Sequence, residues 1–251
     1  MTVPVLVLLA LAGLLGGIGI TALGPGGVLP TIALFTLTDL APSQVAGTAI
    51  VTHVATGALG AAAYRRSGHL REPAIRRTAL VLVGTAVIGT PVGVLVNGLV
   101  STRVFGLVLA AFVVVVALLL WYREAHPSAS SRPHPHPVTI GGIGLAVAVA
   151  SGIVGIGGPM LTVPLLIALG TPVLESLAAA QVQSIVIAGV GTVGYLANGS
   201  IDWGLAALVG IPELAGVLVG WRIARALPTR TLKTVLIVVL LALAPYLALH
   251  G

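Results

Sequence analysis

The stretch Gly152-Ile153-Val154-Gly155-Ile156-Gly157-Gly158-Pro159-Met160-Leu161-Thr162-Val163-Pro164-Leu165-Leu166 decides how this chain is read. A glycine cluster stands directly ahead of an apolar run, 159 to 169, that stops at Gly170. At 1.5 Å of rise per residue that run is far too short for the roughly 30 Å hydrocarbon core, which takes about 20 apolar residues to cross. It therefore reads as a broken or half helix. The same device occurs earlier in GPGGVLPTIALF, Gly24 to Phe35, where the short run 27 to 38 follows its own glycines.

The two stretches are not isolated. At a constant offset of 131, Gly24, Gly26, Gly27, Thr31, Leu34, Gly60, Tyr64, Gly68 and Gly89 fall on Gly155, Gly157, Gly158, Thr162, Leu165, Gly191, Tyr195, Gly199 and Gly220. Short segment and Tyr-ended helix recur in order, which is the mark of an internal repeat. Apolar runs fall at about 3–23, 27–38, 45–64, 78–97, 104–121, 138–154, 159–169, 176–196, 203–220 and 232–249, so each half holds about five helical segments. The polar tract YREAHPSASSRPHPHP, Tyr122 to Pro137, divides them, giving a first transmembrane repeat over 1–121, a cytoplasmic linker over 122–137 and a second repeat over 138–251. Its His134-Pro135-His136 reads as solvated spacer rather than a metal site.

Composition agrees. Of 251 residues, 57% are hydrophobic and 7% charged, where a soluble domain carries about 25% charge, and the mean hydropathy is +1.14. The lack of cysteine excludes disulfides, thiolate metal sites and Cys nucleophiles. The net charge of +6 serves topology, not nucleic acid. Arg65, Arg66, Arg71, Arg76 and Arg77 crowd the loop after Tyr64, whereas the loop after Tyr195 carries only Asp202. The next loops reverse the bias: Arg103 alone against Arg222, Arg225, Arg230 and Lys233. Inversion of the second repeat relative to the first satisfies both, and if every segment crosses, eleven of the twelve Lys and Arg face the cytoplasm and both termini face outward. The three Trp and four Tyr stand near segment ends, as an interfacial aromatic belt requires. The first run carries no basic leader and no evident cleavage site, so it reads as a retained helix. The expected fold is an all-α integral membrane protein of two inverted-topology repeats, multi-pass in the inner membrane.

Inverted repeats with broken helices at matching positions point to a secondary transporter whose site lies at the repeat interface. A helix that starts inside the membrane turns free N–H groups and a positive dipole end inward, and glycine lets a ligand touch the backbone. Gly24, Gly26, Gly27, Gly155, Gly157 and Gly158 are thus candidates for holding a small anion, with Thr31 and Thr162 one turn on as hydroxyl donors. The alternative is that the glycines permit close helix packing and the threonines bond their own i−4 carbonyls. Thr52, His53, Gln183 and Ser184, on the helices that follow, are candidates to line the same cavity; His53 and Ser184 are equivalent by the 131 offset, as are Thr52 and Gln183. Glu213, the acid deep in the ninth segment, is a candidate coupling group or gate, with pairing to Arg222 or a hydroxyl as the plainer role. Gln44 and Glu175 suit helix caps or surface positions.

Taken together, GIVGIGGPMLTVPLL, its weaker partner GPGGVLPTIALF, the duplicated halves and the polar linker resemble the TauE/SafE family of sulfite and organosulfonate exporters across essentially the whole chain. The resemblance implies an inner-membrane carrier of small sulfur-containing anions. Two departures stand out: Ala33 occupies the first-half counterpart of Pro164, and Val28 and Pro159 replace the third glycine of the family's GIGGG. An integral membrane enzyme would need a catalytic constellation, yet the chain has no HExxH, no GxSxG and no pair of intramembrane acids. A divalent metal-cation transporter would rest on His53, Glu213 and the linker histidines, against a shortage of anionic ligands. The expected partners are a small anionic substrate and the lipid bilayer, with no cofactor, no bound metal and no nucleic acid; a homo-oligomer is compatible with the sequence. A cell interior held negative favours expulsion of a monovalent anion by roughly 2.3 kcal/mol per 100 mV, so such a carrier needs no coupled ion.

Overall fold

The computed structural model describes residues 1–22, 24–66, 70, 72–125 and 135–226. Among these the structure is helical: α1 (Val3–Ala22), a 3-10 turn (Pro25–Gly27), α2 (Val28–Leu37), α3 (Pro42–Arg66), α4 (Pro73–Asn97), α5 (Thr102–Ala125), α6 (Pro137–Val154), α7 (Pro159–Ala168), α8 (Val173–Ala197) and α9 (Trp203–Ala226). Seven are long and apolar enough to cross a membrane, while α2 and α7 have ten residues each, about 15 Å. The tenth segment, most of the linker and the basic residues Arg230 and Lys233 lie outside the described residues. Helix α5 continues through 122–125, and α6 already starts at Pro137. Proline marks several starts, at Pro73, Pro137 and Pro159, where its fixed φ suits the first turn and no N–H is missed. At α3 the Ala41 N–H donates to Gln44 Oε1 at 3.1 Å, half of a capping box.

Short and long helices repeat at the expected spacing. Helix α7 lies 131 residues beyond α2 at both ends, and α8 lies 131 beyond α3 at both ends. Equivalent helices α3 and α8 cross in opposite directions. Gly47 sits against Tyr195 and Ser200, Gly57 against Ser184 and Ile185, and Gly60 against Gln181. Antiparallel contact between counterparts is what an inverted repeat requires.

The halves interlock by exchanging partners, α1 packing on α9 and α4 on α6. Both seams are lined by glycines four residues apart. Side chains added at Gly13 and Gly17 would strike the carbonyls of Val209 and Glu213, and one at Gly93 the carbonyl of Val149. Helices in lipid gain little from the hydrophobic effect, so backbone approach at such small-residue stripes drives their association.

These seams correct one correspondence. Gly89 approaches the Leu145 carbonyl and Gly216 that of Leu14; Gly93 approaches the Val149 carbonyl and Gly220 that of Ile18. Leu145 and Val149 are the 131-offset counterparts of Leu14 and Ile18, so the packing equivalent of Gly89 is Gly216, 127 residues away, not Gly220. Helix α9 is therefore shifted by about one turn, a shift that glycines repeating every four residues conceal in sequence.

The core follows the same halves. One apolar cluster joins α2, α3, α5 and α8 through Leu34, Ile50, Phe105, Leu109 and Ile187, with the Phe35 and Phe105 rings 5.2 Å apart. Tyr64 and Tyr195 depart from the aromatic belt: both are buried, whereas Trp121 and Trp203 are exposed as a belt requires. Both tyrosines end helices that dive against the opposite half, and burial of a hydroxyl calls for a partner.

Candidate anion site at the helix breaks

The break between α6 and α7 decides which backbone groups stay open. Gly155 caps α6 in the left-handed region at φ 72, where glycine carries no steric cost. The carbonyls freed at this end are taken by side chains from other helices. Tyr195 OH donates to the Gly152 carbonyl at 2.6 Å, Asn97 Nδ2 to that of Ile153 at 2.6 Å, and Thr31 Oγ1 to that of Gly155 at 3.4 Å. The N-termini of α2 and α7 differ: Gly27 and Gly158 are their N-cap residues, and no side chain caps either end. The carbonyls of Gly152, Ile153 and Gly155 are thus taken by protein, whereas the starts of α2 and α7 carry no side-chain cap, with the Val28 N–H donating to the Gly26 carbonyl and Pro159 contributing no N–H.

The two ends without side-chain caps converge. Gly24, held at φ 96, faces Val163 and the Pro159 carbonyl of the other half. Between them lies a cavity lined by Ile20, Gly24, Gly27, His53, Thr56, Gly157, Pro159, Met160 and Ser184. It offers about 10 Å³ for the centre of a water-sized sphere, room for about one water. In this conformation the site is closed.

Not every candidate faces it. Gly27 lies beside the His53 ring, and Gly157 lies between Ser184 and His53. Gly26, the counterpart of Gly157, is instead pressed on Gly16, Gly19 and Ile20 of α1, and Gly155 on the backbone of Ala46, so both serve close packing. Gly158 abuts Gln183, whose Oε1 accepts from Thr162 Oγ1 at 2.6 Å and whose Nε2 donates to the Gly144 carbonyl at 3.4 Å. Thr31 and Thr162 thus bond across the structure rather than to their own turns. Thr52 does bond back, to the Ala49 carbonyl at 2.9 Å, and its methyl meets Gly210 in a shallow hollow away from the cavity.

Glu213 and His53 form a pairing that the sequence left unassigned. Glu213 Oε1 lies 3.0 Å from His53 Nδ1, with the side chains 0% and 1% exposed, and neither Glu213 carboxyl oxygen meets hydrogen-bond geometry with a partner among the described residues. Arg222 is exposed and does not pair with Glu213. His53 Nε2, on the cavity side of the ring next to Gly27, has no hydrogen-bond partner among the described residues. The two residues are far apart in sequence and on opposite halves, which no periodicity could reveal. The available signal was that each is ionisable and deep in an apolar run, and such groups tend to find one another. Among the described residues no group of three His, Asp or Glu could hold a metal.

The profile described as "Sulfite exporter TauE/SafE" matches residues 9–247. The chain is 26% identical over 235 residues to a "Probable membrane transporter protein YdhB" of Bacillus subtilis (strain 168), covering 90% of this chain and 94% of that one. It is 28% identical over 239 residues to a "Probable membrane transporter protein" of Xylella fastidiosa (strain 9a5c), covering 92% and 87%. No solved structure matches the chain. Seven membrane-length helices, two broken ones and a full-length family match lead to one conclusion: this multi-pass membrane protein is a transporter, not an enzyme, and belongs to the TauE/SafE sulfite exporter family.

Proposed function

We propose that the protein exports small sulfur-containing oxyanions, sulfite or organosulfonates, across the inner membrane, and that its two halves are inverted repeats with the substrate held where α2 and α7 begin. One observation carries the reading: two uncapped helix N-termini meet at a cavity edged by Gly27 and Gly157, with His53 and Ser184 as the polar side chains beside them. Backbone N–H groups at such ends bind oxyanions. Lys and Arg stay out of the apolar interior, so the site suits one negative charge better than several. The closed cavity is narrower than a sulfonate, so the substrate enters only when one half moves relative to the other, as alternating access at a repeat interface requires.

The test is side-by-side binding of sulfite, sulfoacetate, taurine and sulfate to the purified protein. Saturable binding of sulfite or a sulfonate in preference to sulfate supports the reading. Preference for a divalent metal cation over all four would replace it.

A further inference from the structure

The His53–Glu213 contact breaks the symmetry of the fold. The counterpart of His53 in the second half is Ser184, and by the packing of the seams the counterpart of Glu213 in the first half is Ala86, which is buried. The scaffold is thus completed by a serine and an alanine at the related positions. Helix packing alone does not call for an imidazole beside a carboxyl, two groups that are costly to bury in lipid. Among the described residues, the helices packed against the pair bring no other titratable side chain to it. Helices α1, α2, α6 and α7 carry none; on α8, Tyr195 is engaged with Gly152 and Glu175 lies in the first turn; on α9, Arg222 is exposed.

We propose that the His53–Glu213 pair is the proton switch of the anion site, binding one proton for each anion bound. This rests on the anion reading above and adds its regulation. The chemistry follows from the two ring nitrogens. With no extra proton the pair carries one negative charge: Nδ1–H faces Glu213 Oε1 across the 3.0 Å contact, and Nε2 turns a lone pair toward the cavity, which repels an anion. Adding one proton makes the pair neutral. Whether that proton makes an imidazolium facing a carboxylate, or a carboxylic acid donating to Nδ1, Nε2 now carries hydrogen and becomes a donor to the cavity. Both arrangements hold the same number of protons, so the proton belongs to the pair and not to either residue. Glu213 touches no ligand in this scheme; it is a positioning residue that sets the state of His53.

Methanesulfonate is a suitable probe, because it keeps one negative charge from mildly acid to mildly alkaline pH. Titration calorimetry of the purified full chain, in two buffers of different ionisation heat, reads the protons taken up per anion. Uptake approaching one proton on the alkaline side is expected, with affinity falling up to tenfold per pH unit there. Glu213→Gln should bind with no proton uptake and an affinity flat with pH within about threefold, because the amide N–H₂ can donate permanently to Nδ1 and leave hydrogen on Nε2. Binding by the wild-type chain without proton uptake at any pH overturns the switch and leaves the anion site standing. Glu213→Gln keeping the wild-type pH profile overturns it as well. No binding of methanesulfonate, sulfite or taurine at any pH removes the anion site, and the switch falls with it. If Glu213→Gln does not fold, the two-buffer measurement on the wild-type chain still decides.

Discussion

Glycines at one motif do different work, and the difference is measurable. Gly157 is not held at positive φ, so its backbone accepts a side chain, but a Cβ there comes within 2.7 Å of Ser184 Oγ and points into the cavity. Gly157→Val should therefore reach the membrane folded and lose transport, because its methyls occupy the space the anion needs. Its counterpart Gly26 faces the Gly16 carbonyl and the Ile20 amide of α1, backbone that cannot move aside. Gly26→Val should cut the yield of folded protein, an overpacking cost of about 1–3 kcal/mol or more. Detergent-extracted protein on a sizing column separates the two outcomes, and transport by folded Gly157→Val in liposomes would remove that glycine from the site. Sequence alone could not tell these glycines apart. They share a motif position, and only the direction of each Cα decides between ligand contact and helix contact.

At the scale of helices, the sequence was legible where it depends on length and punctuation. The short runs after Gly27 and Gly158 do form ten-residue helices, and the seven long runs that fall within the described residues coincide with membrane-length helices, while the run 232–249 lies outside them. What it concealed was register. Glycines spaced by four along α4 and α9 align equally well one turn apart, so Gly89 matched Gly220 in sequence while packing matches it to Gly216. Tyr195 misled for a related reason: a tyrosine near a helix end suits the interface, but here the end lies over the α6 break and its hydroxyl satisfies Gly152. The seam itself can be tested. A side chain at Gly93 would strike the Val149 carbonyl, whereas Gly142 on the same α6 partner helix has open space around it and is exposed. Gly93→Val should lower the melting temperature in detergent by well over the change caused by Gly142→Val, since only the first forces α4 and α6 apart. Equal melting of the two variants would contradict the seam.

For the whole molecule, the orientation of the halves and the energy source follow from charge. By the positive-inside rule, the arginine distribution predicts the loop between α3 and α4 in the cytoplasm and the loop between α8 and α9 outside. Cysteines at Glu72 and Asn198, both exposed, should therefore label from opposite sides with an impermeant maleimide in a chain that has no native cysteine, Asn198→Cys from outside the cell. Labelling of both from one side would end the inverted arrangement. The energy source depends on what crosses with the anion. From sequence, a monovalent anion needs only the inside-negative potential, worth roughly 2.3 kcal/mol per 100 mV. If the His53–Glu213 pair carries a proton for each anion, the loaded site is electrically neutral with respect to that exchange, and the potential does no net work over the cycle. Methanesulfonate efflux from proteoliposomes should then respond to an imposed pH gradient, faster with the acid side inside, and be indifferent to a potassium diffusion potential. Glu213→Gln holds hydrogen on His53 Nε2 without a titrating partner, so its cargo crosses as a bare negative charge. Efflux through that variant should lose its response to the pH gradient and gain one to the potential. Potential-driven, pH-indifferent efflux by the wild-type chain would instead restore the uncoupled carrier, with the pair left as a fixed element of the closed state.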